Sequence, residues 1–146
     1  MPVKVRDILA KKAQEVASVS QDATVAEAAH LMNQRRIGAL VVTSGPRVVG
    51  IFTERDILCR VVAEHRDAAQ TRVHEVMTAP VACCQSDTEL EECRAVMTTR
   101  RMRHLPVVDD NRLVGMLSIG DIMAHEAAAQ QETIKYLNEY LYGPTR

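Results

Sequence analysis

Two tetrapeptides in this chain hold a hydroxyl and a carboxylate three positions apart: Thr53-Glu54-Arg55-Asp56 and Ser118-Ile119-Gly120-Asp121. Each follows a short apolar run through a glycine, Val49-Gly50-Ile51-Phe52 and Val114-Gly115-Met116-Leu117, and each opens a helical pattern. A strand that turns straight into a helix leaves the first helical N–H groups without partners. Those groups, at the positive end of the helix dipole, suit an anion such as phosphate. A carboxylate beside them can accept both hydroxyls of a ribose, as acidic residues do in dinucleotide folds. The same spacing is also a helix cap, in which the hydroxyl accepts one backbone N–H and the acid reaches back to another. Spacing alone fits both. The preceding helices use Glu as the reaching acid, in Thr24-Val25-Ala26-Glu27 and Thr88-Glu89-Leu90-Glu91. The shorter Asp at both of these turns favours a role beyond capping.

A second set of residues lies just upstream of each turn. Ile37-Gly38-Ala39-Leu40 and Met102-Arg103-His104-Leu105-Pro106 each begin a strand pattern. An aliphatic strand edge can sandwich an adenine ring while its backbone pairs with the ring's edge. Leu40, Val42, Leu105 and Val107 are read more simply as core. Arg103 and His104 resist burial, because an unpaired buried charge is costly. Arg35, Arg36, Arg55, Arg100 and Arg101 add cations near the turns; singly each is an ordinary solvated side chain, and together they suit phosphate. Cys83, Cys84 and Cys93 with His104 would be the raw material of a metal or redox site. Their places on a strand and on a helix's apolar face make them small hydrophobes instead. The sequence holds no Walker loop, no G-x-G-x-x-G, no HExxH and no Ser/His/Asp order.

The elements that must position these residues occur twice. A fixed offset of 65 aligns residues 22–58 with residues 87–123, with 12 identities in 37 positions. They include Asp22/Asp87, Met32/Met97, Arg35/Arg100, Leu40/Leu105, Gly50/Gly115 and Asp56/Asp121. Upstream the offset is 68, so the first copy carries three extra residues near positions 11–14. Each copy reads as β-α-β-β-α. Brief strands are expected at 16–20 and 81–85, capped helices after Thr24 and Thr88, and hairpins turned at Ser44-Gly45-Pro46 and Asp109-Asp110-Asn111. Ile57, Leu58, Val61 and Val62 give the helix after the first turn its apolar face. Residues 1–66 form the first domain, 67–72 a polar linker and 73–146 the second domain. The last helix outruns its partner, with Ile134, Leu137 and Leu141 at helical spacing, three tyrosines (Tyr136, Tyr140, Tyr142) and a Gly143-Pro144 stop. A helix that gathers the aromatics beyond the repeat is expected to pack on a second chain; the alternative is that it folds back on its own.

Composition narrows the function classes. Apolar residues are 47 % and charged residues 25 % of the chain, and the formal net charge is -1, so no global basic field draws it to nucleic acid. There is no Trp and one Phe, so the core is aliphatic. The four cysteines have no C-x-x-C spacing, the start lacks a signal-peptide pattern, and no apolar run approaches a membrane span. A cytoplasmic, reduced protein is the expectation.

These residues taken in order resemble a tandem pair of CBS domains, the Bateman module. The resemblance rests on Thr24-Val25-Ala26-Glu27-Ala28, residues 37–42, residues 49–56, Val76-Met77-Thr78, residues 103–108 and residues 114–121. It covers nearly the whole chain and looks most like small stand-alone bacterial proteins assigned to signal transduction. What it implies is an α/β fold in which two β-α-β-β-α units pack sheet against sheet about a pseudo-twofold axis. Two clefts between them would bind AMP, ADP, ATP, S-adenosylmethionine or NAD(H). The resemblance assigns ribose contacts to Asp56 and Asp121. It gives phosphate or ribose contacts to Thr53 and Ser118, flanked by Arg55 and Gly120, and adenine pockets to Ile37, Gly38, Ala39, Arg103, His104, Leu105 and Pro106. It also implies a disc-shaped homodimer.

The function expected is therefore a non-catalytic adenosine-nucleotide sensor without a catalytic cofactor or metal. It would signal to an effector protein in trans. The rivals are a small enzyme acting on nucleotides, which lacks a general base in the motifs above, and a nucleic-acid-binding module using the arginines, which lacks stacking aromatics. The clefts are not equivalent, because Gly38-Ala39 in one copy faces Arg103-His104 in the other, and Glu54-Arg55 faces Ile119-Gly120. One cleft is expected to take AMP and the other a longer dinucleotide or triphosphate.

Overall fold

The computed structural model describes residues 2–12 and 16–142. Its elements are α1 (Val5–Leu9), β1 (Ser18–Ser20), α2 (Val25–Arg35), β2 (Ala39–Ser44), β3 (Arg47–Thr53) and α3 (Glu54–Asp56), which continues as a π-helical stretch (Ile57–Val62). Then come α4 (Val73–Val76), α5 (Leu90–Arg100), β4 (His104–Asp109), β5 (Arg112–Ser118) and α6 (Ile119–Tyr142). Helices α2 and α5 and both hairpins recur at the 65-residue offset, so the duplication is visible element by element. The hairpins even share a bulge, at Val42/Thr43 and at Val107/Val108. The second hairpin turns through Asp110 and Asn111 in the left-handed region, which short polar side chains tolerate.

The first sheet runs β1-β2-β3, with β1 parallel to β2. The second has only β4-β5. The strand expected over residues 81–85 is reduced to one bridge, in which Cys84 N–H donates to Pro106 O at 3.0 Å and Val108 N–H to Cys84 O at 2.8 Å. Val41 N–H of the first copy donates to Ala17 O, whereas Pro106, at the position matching Val41, has no N–H to give. In the first copy Gln21 N–H continues the ladder to Thr43 O, whereas Ser86 N–H is taken by Asp109 Oδ1 at 3.0 Å and its hydroxyl by Asp109 Oδ2. Asp109 stands where the first copy has Ser44.

Two further expectations are corrected. Thr24 caps α2, with its hydroxyl accepting from Glu27 N–H and Glu27 reaching back to Thr24 N–H. The matching box at Thr88 does not form: α5 starts at Leu90 after Glu89, and the Thr88 hydroxyl accepts from Gln85 N–H. Thr88 matches Ala23 in the repeat, one residue before the cap position, and at that cap position Glu89 stands where the first copy has Thr24. After the first turn, only Val61 and in part Ile57 face the core; Leu58 and Val62 are 63 % and 60 % exposed. Positions 57/61 and 58/62 lie on neighbouring helix faces, and a single-sided contact covers one of them. The second copy repeats the pattern, with Ile122 buried and Met123 exposed.

Each copy closes its core with the other copy's opening turn. Val5 and Ile8 of α1 pack with Leu90, Cys93, Met97, Leu105, Leu117 and Ile122. Val73 and Val76 of α4 pack with Val25, Ala28, Leu40, Phe52 and Val61. Backbone bonds confirm the crossing: Val73 N–H and His74 N–H donate to Ala23 O and Gln21 O, as Val5 N–H and Arg6 N–H donate to Thr88 O and Ser86 O. Gly50 and Gly115 permit it, because a Cβ at Gly50 would lie 2.8 Å from Thr78 O and one at Gly115 2.9 Å from Leu9 Cδ2. The exchange brings the ends of α1 and α4 alongside β5 and β3, next to the two strand-to-helix turns.

Helix α6 runs on through Tyr142, with Ile134, Tyr136, Leu137, Tyr140 and Leu141 exposed. The side chain of Tyr142 and the Gly143-Pro144 stop lie outside the described residues. No helix of the described residues is long and apolar enough to cross a membrane.

Candidate functional site

Both strand-to-helix turns fold as helix caps. At the first, Asp56 Oδ2 accepts Thr53 N–H at 3.0 Å and the Thr53 hydroxyl accepts Asp56 N–H at 3.3 Å. At the second, Asp121 Oδ2 accepts Ser118 N–H at 2.9 Å and the Ser118 hydroxyl accepts Asp121 N–H at 3.1 Å. Each cap uses one carboxylate oxygen, and the fate of the other oxygen separates the turns.

Asp56 is buried and committed. Its Oδ1 accepts the Thr78 hydroxyl at 3.1 Å, and Arg60 Nε stands 3.8 Å away. Arg60 is itself anchored on Met77 O at 2.7 Å. Asp121 is half-buried, and among the described residues its Oδ1 has no protein donor. Its Oδ2 carries the cap and also Lys12 Nζ at 2.9 Å, while that ammonium donates to Met116 O at 2.8 Å. Burial pushes the Asp121 carboxyl up, but the Lys12 ammonium and the Ser118 bonds outweigh it and hold the group below the usual Asp range. The second turn therefore presents an ionised carboxylate with an oxygen to spare.

A cavity of about 710 Å³ opens beside this turn, between the two copies. Ser118 and Met116 of the second copy line it together with Lys12, Ile37, Gly38 and Ala39 of the first. His104 and Arg35 complete the polar lining. Burial lowers the His104 pKa; Asp121 opposes this and Lys12 and Arg103 reinforce it, so the ring is neutral at pH 7. Gly38 leaves its stretch of wall bare on the side where the Glu54 carboxylate stands 3.2 Å from the place of a Cβ. The cavity can hold a flat ring against aliphatic side chains, and it offers a carboxylate for hydroxyls and two cations for an anion.

The expected site residues are distributed as follows. Ile37, Gly38, Ala39, His104 and Ser118 line this cavity together, with Asp121 behind Lys12. Thr53 and Asp56 sit at the other turn, with Arg55 exposed beside them. Arg103 and Gly120 are exposed next to the second turn, while Leu105 and Pro106 are buried, Leu105 in the second core. Sequence reasoning missed Lys12, Met116, Thr78 and Arg60. For Lys12 a signal existed: it lies where the repeat offset changes from 68 to 65, so it has no counterpart cation, and offset 68 places Pro80 opposite it. A smaller cavity of about 480 Å³ lies beside Cys83, Cys84 and Cys93. Among the described residues no group of His, Cys, Asp or Glu is arranged to hold a metal ion.

Comparison with known proteins agrees with this architecture. The family model described as CBS domain matches twice, over residues 5–63 and 73–128. The CBS domain-containing protein YhcV of Bacillus subtilis is 38 % identical over 123 residues, which span 82 % of this chain and 87 % of YhcV. A solved protein with CBS domains from Burkholderia ambifaria is 40 % identical, with a TM-score of 0.83 over 88 % of this chain and 96 % of its own. The CBS domain pair of protein MJ0100, solved with 5′-methylthioadenosine and S-adenosyl-L-methionine, shares the fold at 24 % identity, with a TM-score of 0.78 over 88 % of this chain and 99 % of its own. With the duplicated half, the exchanged opening turns and the paired strand-to-helix caps all in place, the chain belongs to the CBS-domain family as a tandem pair.

Proposed function

We propose that the chain is a non-catalytic sensor that binds an adenosine nucleotide in the cleft at Asp121. The observation that carries this reading is an ionised Asp121, its Oδ1 without a donor among the described residues, standing behind the Lys12 that lines a ring-sized cavity. A ribose donates two hydroxyls to such a carboxylate, the adenine lies against Ile37 and Ala39, and the 5′ substituent points toward the cations. The shared fold with a domain pair that holds adenosine compounds supports the same ligand class. AMP, ADP, ATP and NAD(H) are the candidates.

Asp56 serves a second site of the same class only if a ligand displaces the Thr78 hydroxyl. Ligand occupancy would be passed to an effector protein in the cytoplasm by a homodimer, built on α6 and on exposed Leu58, Val62 and Met123. Mass spectrometry of small molecules released from purified, unheated protein tests the reading. An adenosine nucleotide at or above half-stoichiometry supports it. Protein that releases none, and that binds none of these nucleotides in calorimetry, contradicts it.

A further inference from the structure

We propose that Lys12 is a displaceable counter-ion that makes the Asp121 cleft select anionic, phosphorylated adenosines over neutral ones. The inference rests on the adenosine reading above and adds to it the chemistry at the 5′ end. Three observations converge. First, Lys12 Nζ donates to Asp121 Oδ2 at 2.9 Å and to Met116 O at 2.8 Å, and the side chain remains one-third exposed. An ammonium on a four-carbon stem so placed can swing without disturbing the backbone. Second, the described side chains that line the cavity include two cations, Lys12 and Arg35, while the Glu54 carboxylate abuts the bare wall at Gly38. With Asp121 and Lys12 paired, an ammonium released from Asp121 would join Arg35 as a second cation on the lining. Third, the arrangement has no equivalent at Asp56, whose partners are a hydroxyl and a guanidinium anchored on backbone carbonyls.

The two ligand classes meet Lys12 differently. A neutral adenosine whose ribose takes Asp121 competes with the ammonium and returns nothing to it. A 5′-phosphate gives the displaced ammonium a new charge-assisted partner, with Arg35 on the same wall as a second. The ion pair thus penalises neutral ligands and is exchanged at little loss for anionic ones. Specificity here is a difference between two affinities, part of it built from an unfavourable displacement.

An NMR titration that follows the His104 ring reports this cleft alone, since His104 lines it. AMP and adenosine are titrated into the wild type, Lys12→Met and Lys12→Arg proteins, each first checked for an unchanged amide spectrum. Loss of one charge-assisted hydrogen bond corresponds to roughly tenfold or more in affinity. In Lys12→Met the AMP-to-adenosine affinity ratio should fall by about that factor, through weaker AMP and equal or tighter adenosine binding. Lys12→Arg should keep most of the wild-type ratio. An unchanged ratio in Lys12→Met, with both ligands still binding, overturns the role of Lys12 and leaves the adenosine reading intact. Failure of both ligands to move His104 in the wild type overturns the adenosine reading and the selectivity with it.

Discussion

Thr78 donates its hydroxyl to Asp56 Oδ1 at 3.1 Å across 22 residues of chain. That bond ties the end of α4 to the cap of α3 and fills the oxygen that its counterpart Asp121 leaves open. The two aspartates occupy the same position in the repeat and hold different jobs.

Asp56→Ala should destabilise the fold by about 2–4 kcal/mol, because it removes a buried acceptor and strands the Thr53 N–H and the Thr78 hydroxyl. Asp121→Ala should cost about 1 kcal/mol or less, since its ion pair is partly exposed and screened. Urea unfolding of both variants measures this. Equal losses would show that the two carboxylates are equally committed to structure.

Gly50→Ala should be the harsher of the two glycine substitutions, at about 1–3 kcal/mol. The new methyl meets the Thr78 carbonyl at 2.8 Å, a backbone atom that moves only with α4 and the strand bridge. At Gly115 the obstacle is the Leu9 side chain, which can change rotamer. Thermal unfolding midpoints should rank wild type, then Gly115→Ala, then Gly50→Ala; the reverse order would contradict the exchanged packing.

His104 should make stability fall on mild acidification. Its folded-state pKa lies below the ordinary 6.5, chiefly through burial. The unfolded chain therefore binds the proton first. Stability from this group is complete above about pH 6.5 and is lost as pH falls through the folded value. His104→Gln should flatten the midpoint-versus-pH curve between roughly pH 7 and 5. An unaltered slope would place the titration elsewhere. The depressed Asp121 contributes in a separate window: its stability is present above the ordinary Asp value of 3.8 and lost at lower pH.

Truncation after Gln130 should convert a dimer of about twice 16.2 kDa into monomer in light scattering at micromolar concentration. The segment removed carries Ile134, Tyr136, Leu137 and Tyr140, all exposed on the single chain. A full-length monomer, or a truncated dimer of unchanged affinity, would assign that face to another partner.

Much of this was legible from residues alone. The 65-residue offset predicts both hairpins and both strand-to-helix turns, because side-chain period and turn chemistry are local properties. The crossing of α1 and α4 was not legible, since Val5 and Val73 read as apolar partners for either core and only three-dimensional packing assigns them. The lost strand near Cys84 goes with Pro106, which has no N–H where Val41 donates to Ala17, and with Asp109, which takes the Ser86 N–H; apolar periodicity registers neither. Thr88 shows the same limit: its capping-box spacing lies one residue ahead of Glu89, the position from which the helix starts. Lys12 was hidden because it belongs to the short stretch where the repeat breaks, and the repeat was the guide to every other site residue.

Calorimetric titration of AMP into the wild type and into Asp121→Asn tests the central claim most directly. Saturable binding to the wild type that is lost or weakened at least tenfold in Asp121→Asn is the expected result. It should be accompanied by about 2.7 kcal/mol of added stability at 100 times the dissociation constant. Binding of equal strength in the two proteins, with Asp121→Asn fully folded, would contradict the assignment of Asp121 as the carboxylate that takes the ribose.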